Sequence, residues 1–439
     1  MTGAQRANPD ITCDIMLPLY RQWGDYWEAQ GLTVKGAALS GIAAENLQLA
    51  SGIDARTLAS LEYAWAGQRE QLTARDVLVI DEAGMVGTRQ LARVLEVADK
   101  AKAKVVLVGD PEQLQAIEAG AAFRGVLAES CVAELTEVRR QAQGWQRDAT
   151  LQLATGDTAL ALAAYERQGA VMQTADREAA RSALLARWAA DGEESPERSR
   201  LILAYTRADV RELNALARGW RREHGELGRS EMIETELGPK EFSVGDRLYF
   251  LRNERSLGVK NGSLGTIESL KNGVLEVRLD ATDDSVAVDT RFYRDLDYGY
   301  AATVYKAQGA TVDRTYMLAT SHYDRHATYV ALSRHKHAAS VFYAAQDFKA
   351  PWARRSLTPT EARERFLDVL SRARPKELVH DYLDREQAMS MAEIEAAQQR
   401  AAEEWREKQQ ARELAPRPPP TLQHDHHLRH RGPEEDLDV

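Results

Sequence analysis

The sequence predicts an α/β protein built on parallel sheets, with a short antiparallel insert, and three observations carry that prediction. Val77-Leu-Val-Ile-Asp81 and Val105-Val-Leu-Val-Gly-Asp110 are apolar runs ending in acid, and Leu91, Val94, Leu95 and Ala98 recur between them at helical spacing. Apolar strands alternating with amphipathic helices indicate a parallel sheet covered on both faces. The same unit returns where Leu201-Ile-Leu-Ala-Tyr205 runs into Asp209–Arg222, with Val210, Leu213, Leu216 and Ala217 apolar. Turn pairs at Asn261-Gly262 and Asn272-Gly273 then separate short runs, the chemistry of hairpins.

Length and composition narrow the class. At roughly 100–200 residues per domain, 439 residues predict two to three domains. Hydrophobic residues make 44% and charged residues 28%, which excludes disorder throughout. No run reaches the ~18–20 apolar residues of a membrane span, and MTGAQRANPD has no secretory pattern. Cys13 and Cys131 are too far apart for a metal knuckle, which points to a reducing interior. With 57 Lys+Arg against 67 Asp+Glu, the net charge of −10 argues against coating nucleic acid by bulk charge but leaves room for a local basic groove.

Along the chain, residues 1–145 read as one α/β lobe, 146–240 with 297–350 as a second, and 241–296 as an antiparallel insert the size of a small barrel. The insert's strands are Arg247–Arg252, Leu264–Glu268, Val274–Leu279 and Ser285–Asp289, and the α/β pattern resumes with Thr315–Ala319 and Ser340–Ala344. Residues 351–439 read as a helical extension and tail. Thr358–Leu370 and Met389–Leu414 are helical in composition, and the second has few residues that reach a core. Pro416-Arg-Pro-Pro-Pro420 breaks it, and the rest reads as disordered. His424, His426, His427 and His430 beside Asp425 suggest only weak affinity for divalent ions and receive no role.

Four motifs carry chemistry. A strand ending in Asp81-Glu82 sets two carboxylates at the edge where open α/β sheets bind ligands, one suited to holding Mg²⁺ and its neighbour to polarising water. The alternative is a solvated strand end. Gln113, after Gly109-Asp110-Pro111, is an amide that can both donate to and accept from a phosphate or its attacking water, or it simply follows a turn. Thr303 and Tyr305-Lys-Ala-Gln-Gly309 combine a cation, an amide and a glycine suited to phosphate contact. Tyr329-Val-Ala-Leu-Ser-Arg334 ends a helix-like run in a guanidinium, able to stabilise charge on a transferring phosphoryl group or to sit on a surface.

Taken in order, DEAGM, GDPEQL, Arg139-Arg-Gln141, TVYKAQG and YVALSR resemble the superfamily 1 helicases, in particular the RecD-like branch that moves 5'-to-3' on single-stranded DNA. Lys35-Gly-Ala-Ala-Leu-Ser-Gly-Ile-Ala-Ala-Glu-Asn-Leu47, Ala55-Arg-Thr-Leu58 and DEAGMVGTRQL resemble the helicase part of TraA-type conjugative relaxases, with coverage from about Val34 to Ala350. The resemblance implies two RecA-like lobes, a small β-barrel that grips DNA, a cytoplasmic setting, ATP and Mg²⁺ as cofactors, and single-stranded DNA with other conjugative transfer proteins as partners. It implies that Asp81 holds the metal, that Glu82 is the base, that Gln113 senses the γ-phosphate, and that Arg140 and Arg334 reach it from two sides of a cleft. Ser40, Gly41, Thr57, Thr303 and Lys306 would face DNA, and Gln308 and Gly309 would link that surface to the nucleotide. In the insert, Arg247, Arg252, Arg255, Lys260 and Lys271 are available for phosphate contacts or for a solvated face, with Arg247 singled out.

One departure cuts across the match. The 439 residues contain no Gly-Lys dipeptide, so the phosphate loop G-x-x-x-x-G-K-[ST] of such helicases is not encoded here. Ile11–Trp27, at the corresponding place, suggests an amphipathic helix through Leu19, Trp23, Tyr26 and Trp27. The expectation is an N-terminally truncated or degenerate copy with impaired ATP hydrolysis. The alternatives are a non-catalytic single-stranded DNA-binding or interaction protein, and a gene fragment without function.

Overall fold

The computed structural model describes residues 16–116, 121–130, 132–133, 138–349 and 355–374. The readings of Cys13, Cys131, Met389–Leu414, Pro416–Pro420 and the His424–His430 cluster lie outside them. No helix among the described residues is long and apolar enough to cross a membrane.

A helix at Met16–Ala29 leads into the first parallel sheet. Its strands are β1 (Thr33–Ala38), β2 (Ala55–Thr57), β3 (Asp76–Asp81) and β4 (Lys104–Leu107), in the order β2-β1-β3-β4. Because every side chain from Val77 to Ile80 is apolar, β3 is buried on both faces. Leu58, Leu61 and Leu91 cover one face, and Ala43, Leu47 and Ile53 the other. Thr88–Ala101 is the helix that the periodicity between the two acidic strands predicts, burying Leu91, Val94 and Ala98.

The second parallel sheet follows the same rule. Strands β5 (Val171–Thr174) and β6 (Arg200–Ala204) precede the insert. The insert opens with a hairpin of β7 (Ser230–Thr235) and β8 (Gly238–Ser243), so antiparallel structure begins before the change of pattern read at Glu241. Next come β9 (Arg247–Phe250), β10 (Leu264–Lys271), β11 (Val274–Leu279), β12 (Ser285–Asp289) and β13 (Leu296–Tyr298), paired in the order β12-β11-β10-β9-β13. Among the described residues no pairing joins β12 to β13, so the insert is an open antiparallel sheet rather than a closed barrel. Alternation sets which residues face inward; it does not set whether the edges meet. Asn272 and Gly273 have φ of 52° and 75°, the left-handed pair a tight β10–β11 hairpin requires.

Strands β14 (Ala301–Thr303), β15 (Val312–Ala319) and β16 (His335–Ala344) complete the second sheet, β14-β6-β15-β16-β5, all parallel. A last helix, Pro359–Ser371, starts with a capping box between Thr358 and Glu361. Its Phe366 stacks on Tyr343 with centroids 4.1 Å apart, so this helix belongs to the core of the second lobe.

The insert is tied to that lobe by one buried polar node. Asp246, fully buried, accepts from Arg218 Nε at 3.0 Å, Tyr300 Oη at 2.6 Å and Ser243 N at 2.7 Å. Removing one partner of a buried ion pair leaves the other uncompensated. Asp246→Ala is therefore expected to lower stability by about 3–5 kcal/mol in urea denaturation. A loss below about 1 kcal/mol, the scale of an exposed pair, would show that the node does not anchor the insert.

Candidate functional site

The first lobe delivers two adjacent carboxylates at the end of β3. Glu82 turns into the left-handed region, φ 52°, as its N–H donates to Asp81 Oδ1 at 2.9 Å. The turn is pressed against the end of β4: Ala83 N donates to Val108 O at 2.8 Å, and a Cβ on Gly84 would lie 2.9 Å from Asp110 O. Glycine at 84 is thus a steric requirement of the acidic turn. The second lobe reaches the same place. Gln308 Nε2 donates to Glu82 Oε2 at 2.9 Å, and Gly309, at φ 79°, offers its carbonyl to Asn46 Nδ2 at 3.4 Å. Asp81, Glu82, Gln308 and Gly309 therefore gather as one group. Asn46 was not singled out by its sequence, since an asparagine inside a helical stretch carries no chemical signal of its own.

The loop after β4 makes a second crossing. Gln113 is buried here, and Glu112 N donates to Asp110 Oδ1 at 2.9 Å. Glu112 also forms an ion pair with Arg325, while His326 Nδ1 lies 2.8 Å from Glu112 O and His326 Nε2 lies 3.1 Å from Gln115 Nε2. Leu114 enters the apolar core of the second lobe. Glu112, Arg325 and His326 escaped sequence reading because their importance lies in a pairing across more than two hundred residues.

Arg140 and Arg334 were expected on opposite sides of a cleft; the structure instead brings both to Ser333. Arg140 Nη1 donates to Ser333 O at 2.8 Å, and Arg334 donates through Nη2 to Ser333 Oγ at 2.7 Å and through Nε to Val330 O at 3.0 Å. Arg334 is 1% exposed, so its charge is held inside the fold, against the last turn of the helix Arg325–Ser333. The neighbouring His335 is fully buried; that burial, then the charges of Arg140 and Arg334, push its pKa down to about 3.

Of the residues expected to face DNA, Ser40, Thr303 and Lys306 line a cavity of about 210 Å³ together with Glu82, Gln308 and Tyr249. Lys306 Nζ sits 4.8 Å from the centroid of the Tyr249 ring, a cation–π geometry. Desolvation lowers the Lys306 pKa, Asp297 opposes that shift and Arg207 adds to it. Ser40, Thr57 and Thr303 each hold a local turn, accepting from the N–H groups of Ala43, Ser60 and Lys306 at 3.1–3.2 Å. Thr57 does not line the cavity. Gly41 is where the first lobe meets the insert: a Cβ there would lie 2.8 Å from Asn253 Oδ1 and 3.0 Å from Lys260 Cβ. Arg247 donates to Asp280 Oδ1 at 2.7 Å and to Thr266 Oγ1 at 2.8 Å, so its guanidinium is committed within the insert.

ATP and Mg²⁺, the implied cofactors, can be tested against these groups. Mg²⁺ commonly takes one or two protein carboxylates and fills its remaining positions with water and phosphate, so Asp81 fits as a ligand. Among the described residues no cluster of three or more His, Cys, Asp or Glu side chains could hold a metal without such help. The triphosphate fits less well. The chain has no Gly-Lys cradle, and donors of Arg140 and Arg334 are directed at backbone and Ser333.

Comparison with known proteins adds the following. A family model described as an AAA domain matches residues 19–176. A probable conjugal transfer protein TraA of Sinorhizobium fredii is 42% identical over 358 residues, covering 81% of this chain and 31% of the relative. The RecBCD enzyme subunit RecD of Mycolicibacterium smegmatis is 29% identical over 313 residues, 66% of this chain and 54% of that one. Among solved structures, the Pif1 helicase from Bacteroides in complex with ADP-AlF3 and ssDNA superposes with a TM-score of 0.52 at 19% identity, over 79% of this chain and 90% of that chain, a likeness of fold. The chain spans about a third of the length of the TraA relative it matches.

His335 makes the region sensitive to acid. Its folded pKa, about 3, lies below the ordinary 6.5, so the unfolded chain binds a proton that the fold refuses. The stability contributed by neutral His335 is whole above about pH 6.5 and declines as pH falls towards 3. The urea midpoint is expected to drop between pH 7 and 5, and His335→Phe to flatten that drop; parallel curves would refute the assignment.

Proposed function

Because the chain belongs to the family of TraA conjugal transfer proteins, we propose that it is their DNA helicase module, whose ancestral activity is ATP-driven 5'-to-3' translocation on single-stranded DNA, impaired here by the lack of a Gly-Lys phosphate cradle. The observation that carries this reading is the Gln308–Glu82 hydrogen bond, which joins the cavity's basic loop to the carboxylate pair of the other lobe. ATP with Mg²⁺, if bound, would supply the free energy of phosphoanhydride cleavage, with Asp81 as the metal's carboxylate. The chain's own residues set the coupling. Thr303, Lys306 and Ser40 receive the strand's phosphates in the cavity, and any shift of the 303–309 loop is transmitted by Gln308 to Glu82. Glu82, once released from Gln308, would be the group placed to orient water. Gln113, Arg140 and Arg334 stand one layer back, at the joint between the lobes.

A second reading, a single-stranded DNA-binding protein without a motor, is favoured by one specific feature, the lack of any Gly-Lys pair in the sequence. Phosphate release separates the two. With ATP, Mg²⁺ and single-stranded DNA, the motor reading expects release that Glu82→Gln lowers at least about a hundredfold, the scale of a lost general base. Release no higher than blank, with DNA binding intact, would favour the second reading.

Both readings require the groove. Log affinity for a single strand should fall linearly with log salt, by about 0.7 per phosphate neutralised. Lys306→Ala should reduce that slope by about one contact's worth, as measured by fluorescence anisotropy across a salt series. A flat salt response would rule out both.

A further inference from the structure

At the edge of the cavity the second lobe carries a pile of rings that begins in its core and ends outside it. Tyr205 follows β6, Tyr305 follows β14, and His322 and Tyr323 follow β15. These three strands are neighbours in one parallel sheet, so the four rings emerge at its C-terminal edge, where open α/β sheets take their ligands. Tyr205 is the centre. His322 lies nearly parallel to it, at 20° with centroids 5.8 Å apart, while Tyr323 and Tyr305 meet it at 61° and 83°, at 5.4 and 6.2 Å. The pile is graded: Tyr323 is fully buried, Tyr205 and Tyr305 are half-buried, and His322 is exposed.

Packing explains Tyr323 and the inner side of Tyr205. It does not explain a ring laid flat on the outer side of that pile. Tyr305 also lines the cavity beside Arg207 and Lys306, which makes the aromatic pile a continuation of the basic groove. Burial raises the Tyr205 pKa, and a hydrogen bond with Tyr305 and the Arg374 charge oppose that rise. The nearby Asp324 carboxylate acts on the same ring, but its Oδ1 caps the next helix by accepting from Ala327 N at 2.9 Å. An exposed ring stacked on a pile that runs into a basic cavity is a combination that holds single strands, since bases stack while phosphates pair with charge.

We propose that His322, backed by Tyr205, is a stacking platform for one base of single-stranded DNA, a step along the groove from the phosphates held at Lys306. This rests on the groove reading above. His322 contributes a face, with no base-edge hydrogen bonds, so the platform is indifferent to base identity.

The test is anisotropy of the full chain with a short labelled oligothymidylate and with a matched strand of abasic sites. His322→Ala should weaken oligothymidylate binding by about fivefold to a hundredfold, and His322→Phe should restore it. The salt slope should not change, because no phosphate contact is lost. On the abasic strand the wild type and His322→Ala should bind alike. His322→Ala matching the wild type on oligothymidylate, with the salt slope still steep, would overturn the platform and leave the groove standing. Wild-type chain that binds neither strand would overturn both. His322 is exposed, so its replacement leaves the fold intact.

Discussion

A single hydrogen bond, Gln308 Nε2 to Glu82 Oε2, is the constraint around which the site is arranged. It fixes the carboxylate that would orient water to a loop that also presents Lys306 and Thr303 to the cavity. Neither end is free to move alone. Glu82 is held in a left-handed turn by its own N–H and by the close approach of the β4 loop, and Gly309 at φ 79° lets the second lobe's loop turn sharply behind Gln308. A neutral amide suits this task, because it grips a carboxylate without the cost of burying a second charge.

The cross-lobe contacts around Ser333 are polar but internal. Arg140, Gln141 and Arg334 all converge on the Ser333–His335 segment, where a helix ends and β16 begins. Charge placed there complements the carbonyl end of the helix and keeps His335 neutral. The insert is anchored by the same logic at Asp246, where three donors satisfy one buried carboxylate. Buried charges of this kind specify which surfaces meet more than they add net stability.

How much of this was legible in the sequence follows from the range of each interaction. β3 and the helix after it were readable because apolar runs and helical spacing are local, and the hairpin turn at Asn272-Gly273 because only certain residues adopt two successive positive φ angles. The acidic pair and the Lys306–Gly309 loop were readable as chemistry. Their meeting was not, since nothing near Glu82 in the chain names Gln308 as its partner. The same holds for Asn46, for Glu112 with Arg325, and for the arginines that gather on Ser333. The hairpin β7–β8 was missed because Met232 and Leu237 face solvent there, which blurs the alternation that marks a strand.

Leu114 has a mechanical consequence. It is an apolar side chain of the first lobe's β4 loop, 3% exposed and seated in the hydrophobic core of the second. Prising the halves apart at this joint would wet that side chain, at about 1.5–3 kcal/mol. The leucine therefore opposes separation of the halves and holds the acidic turn within reach of its amide.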